Sequence, residues 1–194
     1  MDLSQRQIEI VEAATKLIGE KGIQNLTTKN LASEMGFTEP ALYRHFKGKT
    51  EILQSILGYY KVKLKNGLQS VLDSQLTGLE KLEGMMKFQF NHFSKNPAVI
   101  MVIFAETSFQ YDDLLSNMVT EILVQKQKFV AQIIHTGQEE GNIRNDIEAH
   151  QLATIVMGSM RFTVLRWRLS KFNFDLIKEG VALWESTEKL IKTN

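Results

Sequence analysis

Residues 27–50, TTKNLASEMGFTEPALYRHFKGKT, have the pattern of two short helices joined by a tight turn. One of the two leading threonines, Thr27 or Thr28, caps the first helix. Gly36 is its expected end, because glycine adopts a positive φ without a Cβ clash. Thr38 caps the second helix, and Pro40 lies in its first turn, where a missing N–H is tolerated. The pattern predicts a helix-turn-helix.

The second of these helices has one apolar side and one polar side. Leu42 and Phe46 share a face at i, i+4 spacing. The remaining side combines polar, aromatic and basic groups, which suits the major groove of DNA. With the start of the first helix and the lysine that follows the second, the predicted DNA-contacting residues are Thr27, Thr28, Lys29, Thr38, Glu39, Pro40, Ala41, Tyr43, Arg44, His45 and Lys49.

Some of these contacts follow from chemistry alone. The N–H groups at a helix N-terminus attract phosphate, which gives Thr27, Thr28 and Lys29 a role at the first helix and Thr38 one at the second. The guanidinium of Arg44 can pair with O6 and N7 of guanine together. Glu39 has two possible roles, either accepting from cytosine N4 or stabilising its own helix N-terminus.

The same stretch resembles the DNA-binding domain of the tetracycline-repressor (TetR) family of bacterial transcriptional regulators. The matching pieces keep their order and spacing: Leu26-Thr27-Thr28, Leu31-Ala32, Met35-Gly36-Phe37, Ala41-Leu42-Tyr43-x-His45-Phe46 and Lys47-x-Lys49-x-x-Ile52-Leu53. The resemblance is specific over about the first third of the chain and elsewhere rests on length and helical layout. It implies an N-terminal helix-turn-helix domain, residues 1–48, and a larger helical ligand-binding and dimerisation domain, residues 49–194.

The resemblance also implies contacts to the DNA backbone by Tyr43, His45 and Lys49. Each has an alternative reading from the residue alone. Tyr43 could be a core tyrosine, His45 could pack as a neutral ring against Phe46, and Lys47 and Lys49 could be solvated loop charges.

Helical patterns continue along the rest of the chain, which predicts an all-α fold. Ser4 with Gln7 and Thr77 with Glu80 form capping boxes, which open helices that end near Gly22 and residue 95. Further helices are expected at about 49–74, 98–105, 112–140, 147–171 and 174–192. The expected core of the first three helices is Val11, Ala14, Ile18, Leu26, Leu31, Ala32, Leu42 and Phe46.

Composition and charge limit the class of protein. The longest apolar run, residues 98–105, is far shorter than the roughly 20 residues that span a bilayer, and the first ten residues lack a secretory pattern. There is no cysteine, which excludes disulfides and thiolate metal sites. Residues 1–66 hold 10 Lys+Arg and 7 Asp+Glu, while residues 67–194 hold 13 and 15. We therefore expect a cytoplasmic protein without metal or other cofactor, its positive charge concentrated in the DNA-binding part.

Dimerisation is expected because one helix-turn-helix reads too few base pairs, whereas two copies on a two-fold axis read a palindrome. In the family, the last two helices form a four-helix bundle between subunits. Alternatively, these helices only complete the core of one chain. The predicted interface residues are Leu152, Ile155, Val156, Ser159, Thr163, Ile177, Val181, Trp184 and Ile191.

The family holds its small-molecule pocket in the central helices, here residues 78–170. Methionine and phenylalanine suit an apolar or aromatic ligand, although at helical spacing they are also ordinary core residues. The predicted ligand-binding residues are Phe88, Asn91, His92, Met101, Phe104, Glu106, Met157, Met160 and Arg161.

An enzyme is disfavoured by the sequence. The four histidines lie far apart, and neither a nucleophile elbow, a phosphate-binding glycine loop nor a metal-ligand cluster is present. The prediction is a homodimeric transcriptional regulator, a repressor by resemblance, that a small apolar or aromatic ligand releases from a palindromic operator. The alternative is a helical protein-interaction module without DNA binding.

Overall fold

The computed structural model describes residues 3–105, 108–109 and 112–193. These residues form helices and one isolated bridge between Ile143 and Lys192, with no β-strand, which confirms the all-α prediction. The helices are α1 (Gln5–Lys21), a 3-10 turn (Ile23–Asn25), α2 (Thr28–Glu34), α3 (Glu39–Tyr43), α4 (Lys49–Leu72), α5 (Gly78–Lys95), α6 (Pro97–Ile103), α7 (Asp113–Glu139), α8 (Ala149–Leu169) and α9 (Leu176–Ile191).

Both predicted capping boxes are present. The Ser4 backbone N–H donates to Gln7 Oε1 at 3.0 Å, and the Gln7 N–H donates back to Ser4 Oγ at 3.3 Å. Thr77 and Glu80 repeat the arrangement at 2.8 and 3.3 Å before α5. These local bonds satisfy N–H groups that a helix otherwise leaves free, so α1 and α5 begin close to where the sequence places them.

The chain divides into two compact units, of which the first comprises Met1–Leu64 and Asn96–Glu121. All eight residues predicted for its core are at most 2% exposed. Helix α6 completes this unit by close packing on α1, where a Cβ added to Gly19 would lie 2.6 Å from the Ala98 Cβ. Helices α2 and α3 therefore belong to the same compact unit as α1 and α6.

The second unit comprises Lys65–Lys95 and Ile122–Asn194. Helix α9 packs on α5 at Gly180, where a Cβ would meet the Phe90 ring at 2.5 Å, and it also packs on α8. Trp184 and Ile191 are buried along the same helix. Across the described part of the chain, none of the helices is long and apolar enough to cross a membrane.

Candidate nucleic-acid interface

The turn between α2 and α3 is held by backbone bonds that the sequence makes possible. Thr27 caps α2, its Oγ1 accepting from the Asn30 N–H at 3.0 Å. Gly36 adopts φ +68°, and the Phe37 N–H then donates to the Ala32 carbonyl at 2.8 Å. Because L-residues with a Cβ are strained at this φ, a glycine here lets the chain reverse within the three residues before the Thr38 cap.

Helix α3 presents its polar side to solvent over a buried apolar side. Thr38 caps it, with Oγ1 accepting from the Ala41 N–H at 3.4 Å. Leu42 and Phe46 are buried, whereas Arg44 is exposed and Tyr43 is 51% exposed. This exposure excludes the reading of Tyr43 as a core tyrosine. The two side chains are thus available to a partner.

A hydrogen-bonded group joins the start of α2 to α3. Thr28 Oγ1 donates to Glu39 Oε2 at 2.9 Å and lies 3.5 Å from the Tyr43 hydroxyl. Glu39 also lies in the first turn of α3, where a carboxylate is favourable to the helix dipole. Glu39 therefore has a role inside the protein.

Gln7 is a positioning residue that sequence reasoning missed. Its Oε1 caps α1, while its Nε2 donates to the backbone carbonyl of His45 at 3.2 Å. One amide thus links the start of α1 to the segment just after α3. The capping-box pattern identifies Gln7 in the sequence as a helix-capping residue. No local pattern indicates that it also bonds His45, 38 residues away.

The N-terminal end of α4 forms a second cationic edge of this surface. Lys49 Nζ donates to the Ile23 carbonyl at 3.2 Å, which holds the lysine across to the segment before α2. A shallow surface depression lies here, lined by Lys47, Gly48, Lys49, Thr50, Glu51 and Gln54. A helix start with two lysines around a depression has the chemistry to receive a phosphate.

All eleven residues predicted to contact DNA lie in the first unit. Four of them are half-buried: Thr28, Glu39, Ala41 and His45. The other seven are exposed: Thr27, Lys29, Thr38, Pro40, Tyr43, Arg44 and Lys49.

The residues predicted to bind a ligand are divided between the units. Met101 and Phe104 belong to the first unit, and Glu106 lies outside the described residues. In the second unit, the rings of Phe88 and His92 stack at 6.0 Å with an interplanar angle of 14°. Asn91 is exposed on the same helix. On α8, Met160 is buried, and Met157 and Arg161 are half-buried.

The residues predicted for the dimer interface fall into two groups. Ile155, Ile177 and Val181 are exposed, and Ser159 is half-buried. The single chain already removes the other five side chains from solvent: Leu152, Val156, Thr163, Trp184 and Ile191. Helical periodicity selected these nine residues. It cannot distinguish a helix face that is buried within one chain from a face that packs against a second copy. The surface of α8 instead adds Phe162 and Leu169, which are 61% and 70% exposed.

Lys126 on α7 is a second feature that the sequence did not reveal. Burial, and to a smaller extent the nearby Arg161 guanidinium, lower the pKa of its ammonium to about 8. Helical periodicity does not identify such a lysine, because a charged residue within a long amphipathic helix is ordinarily interpreted as solvent-exposed.

Two family models together match most of the chain. One, described as bacterial regulatory proteins of the tetR family, matches residues 10–56. The other, described as the C-terminal region of YsiA-like protein, matches residues 60–192.

Individual relatives match along nearly their whole length. Nucleoid occlusion factor SlmA of Vibrio atlanticus is 20% identical over 97% of both chains. The HTH-type transcriptional repressor KstR2 of Mycolicibacterium smegmatis is 24% identical over 84% of this chain and 80% of its own. The structure of the regulator FadR from Bacillus subtilis in complex with stearoyl-CoA superposes with a TM-score of 0.81 at 20% identity, covering 93% of this chain and 96% of that one. The chain belongs to the TetR family of bacterial regulatory proteins and is a DNA-binding transcriptional regulator.

Proposed function

We propose that this protein is a homodimeric repressor that reads a palindromic operator through α3 and is released by a small molecule with a large apolar part. Residues 1–48 read the DNA, residues 49–194 bind the ligand and dimerise, and the protein acts in the cytoplasm at the nucleoid. The observation that carries the proposal is α3 itself, where Tyr43 and Arg44 are exposed above buried Leu42 and Phe46. A short capped helix of this kind fits the major groove.

The side chains around α3 divide into base-reading and phosphate-binding groups. Arg44 is the base reader, since its fork matches the two acceptors of guanine. Tyr43, Lys29 and Lys49 contact phosphates on either side, supported by the N-termini of α2 and α4. Thr28 and Glu39 fix the angle between α2 and α3 through their hydrogen bond of 2.9 Å.

Dimerisation rests on the outer stripe of α8 and the exposed part of α9. Ile155, Phe162 and Leu169 follow one another at intervals of seven residues and are all more than half exposed. Ile177 and Val181 add exposed apolar surface on α9. Apolar side chains at this repeat suit a helical bundle with a second copy, which presents two copies of α3 to successive major grooves.

The chemistry of the effector is inferred from the second unit and from the relatives. The FadR structure contains stearoyl-CoA, which has a long apolar chain. Here Phe88 and Met157 are half-buried side chains of adaptable shape, able to contact such a chain. Release follows if the ligand binds more tightly to a conformer in which the two α3 helices no longer match grooves roughly 34 Å apart.

Selection of genomic DNA fragments on the purified protein, followed by sequencing, tests this function. We expect a few inverted repeats next to promoters, and an apolar ligand that lowers affinity for them. Many sites dispersed around the chromosome would instead favour the role named for SlmA. A folded dimer that enriches no sequence, even after refolding to remove bound ligand, would contradict sequence-specific binding.

A further inference from the structure

The first turn of α1 contacts the segments on both sides of α3. The Cζ atom of Arg6 lies 4.4 Å from the centroid of the Phe37 ring, and Phe37 directly precedes Thr38, which caps α3. After the end of α3, the His45 carbonyl accepts from Gln7 Nε2 at 3.2 Å. All five residues belong to the first unit. Arg6 therefore places a cation beside the start of α3.

The Phe37 ring orders the Arg6 guanidinium and leaves it accessible. An arginine over an aromatic face is held by the ring, while its N–H groups still point outwards to donate. The Arg6 side chain is 50% exposed, and its Nη1 donates to Glu9 Oε2 at 2.5 Å. Among the described residues, this is the only hydrogen bond that the side chain makes. A guanidinium has five N–H donors, so most of them remain for a second anion.

The stability of α1 does not account for Arg6. A cation in the first turn of a helix opposes the helix dipole, and α1 has no acidic residue in this turn to offset it. The ion pair with Glu9 joins two side chains that are 50% and 40% exposed, and surface pairs of this kind contribute little. An anion bound from outside, next to the start of α3, explains the position of the arginine.

We infer that Arg6 is a further phosphate-binding residue of the DNA interface, and that Glu9 limits its contribution by holding the same guanidinium. This inference rests on the proposed function, because it adds a residue to the surface that reads the operator through α3. When DNA binds, the Arg6 guanidinium exchanges the Glu9 carboxylate for a phosphate oxygen. The contact is made to the backbone of DNA, so it strengthens binding to every sequence alike.

The dependence of DNA affinity on salt tests the phosphate contact. Fluorescence anisotropy with the selected operator, and with a random-sequence duplex of equal length, measures affinity over a range of salt concentrations. We expect Arg6→Gln to weaken both DNAs by a similar factor, roughly fivefold or more at about 0.1 M salt, and to reduce the slope of log K against log salt by about 0.9 per subunit. Arg6→Lys should keep the slope, because it keeps the charge. Lys16→Gln removes an exposed cation roughly 15 Å further along α1 and is the matched control.

A second pair of variants tests the competition by Glu9. We expect Glu9→Gln to raise affinity for both DNAs about threefold, because the guanidinium no longer has to leave a carboxylate. The gain should vanish in the double variant with Arg6→Gln. A gain that persists there would show that Glu9 repels DNA directly, which overturns its role at Arg6. Glu20→Gln, which removes a carboxylate 3.9 Å from Lys16 on the same helix, is the control.

The remaining outcomes separate the inference from the proposed function. An unchanged salt slope in Arg6→Gln overturns the inference and leaves the proposed function standing. So does a loss confined to the operator, or one that follows a lower urea midpoint of the variant, because each indicates a role other than phosphate binding. A wild-type protein that binds neither duplex contradicts the proposed function together with the inference.

Discussion

At the scale of single residues, the side chains proposed to contact DNA differ from the side chains that hold α3 in place. Arg44 and Tyr43 are exposed, and the Tyr43 hydroxyl lies 3.5 Å from Thr28 Oγ1. Glu39 instead accepts a hydrogen bond from Thr28 Oγ1, and Gln7 Nε2 donates one to the His45 carbonyl. The two kinds of residue should respond differently to substitution.

Replacement of Arg44 by alanine tests the base reader. We expect operator affinity to fall by about 1–3 kcal/mol and discrimination at one base pair to be lost, because a bidentate contact to guanine disappears. Fluorescence anisotropy with the operator and with single-base variants measures both effects. Lys65→Ala is the control, since this exposed lysine lies roughly 24 Å along α4 from Lys49. Equal weakening on all sequences would show that Arg44 contacts only phosphate.

Replacement of Gln7 by glutamate tests the positioning role. Glutamate keeps the acceptor that caps α1 but places a carboxylate against the His45 carbonyl, which had accepted from Gln7 Nε2 at 3.2 Å. We expect operator affinity to drop about tenfold with little loss of helix content by circular dichroism. Ser4→Ala, which weakens only the cap, should lower stability by about 1 kcal/mol and leave affinity nearly unchanged. Equal operator affinities of Gln7→Glu and wild type would show that Gln7 does not position α3.

At the scale of elements, the turn after α2 and the middle of α4 use glycine for different reasons. Gly36 has φ +68°, whereas Gly58 lies inside helix α4, and neither would bring an added Cβ within 4 Å of another atom. Steric contact is therefore equal at the two positions. Only the backbone conformation differs.

This pair gives a prediction of opposite sign for the same substitution. Gly36→Ala should lower the free energy of unfolding by about 1 kcal/mol, because alanine is strained at positive φ. Gly58→Ala should raise it by about 0.5–1 kcal/mol, because alanine loses less entropy than glycine in a helix. Urea titration of each variant measures the change. If both substitutions stabilise the protein, the left-handed backbone at position 36 does not require glycine.

The sequence predicts the elements well because their signals are local. Ser4, Thr27, Thr38 and Thr77 each cap a helix within three residues of themselves, and the apolar spacing in α1–α3 selects a core that is fully buried. What it cannot predict depends on distant packing. The bond from Gln7 to His45 spans 38 residues, and the lowered pKa of Lys126 depends in part on Arg161 of α8. Likewise, spacing alone could not show that Trp184 is buried by its own chain while Ile155 is not.

At the scale of the whole molecule, dimerisation makes two weak DNA contacts into one specific contact. In the proposed dimer this depends on the exposed stripe of Ile155, Phe162 and Leu169 on α8. We expect Phe162→Glu to give a monomer at micromolar concentration by analytical ultracentrifugation, because a charge would be buried at the centre of the interface. Operator affinity should fall more than 100-fold. Val62→Glu, at a position 49% exposed on α4, should remain dimeric, and a dimeric Phe162→Glu would place the interface elsewhere.

The desolvation of the Lys126 ammonium affects the stability of the whole protein, and the sign of this effect follows from its pKa. The folded pKa is about 8, against 10.5 for a free lysine, so the unfolded chain binds more protons between these two values. Stability therefore rises with pH in this window, and the full destabilisation is present below about pH 8. Lys126→Met should raise the free energy of unfolding by about 1–3 kcal/mol at pH 7, and this advantage should shrink as the pH rises from about 8 and disappear above 10.5. Urea titrations of both proteins at pH 7 and pH 9.5 measure the difference, and Lys128→Met, which replaces an exposed lysine of the same helix, is the control. A difference in unfolding free energy that stays constant across this range would come from packing and not from the charge. A difference that shrinks would mean that the cation at this position lowers the stability of the protein.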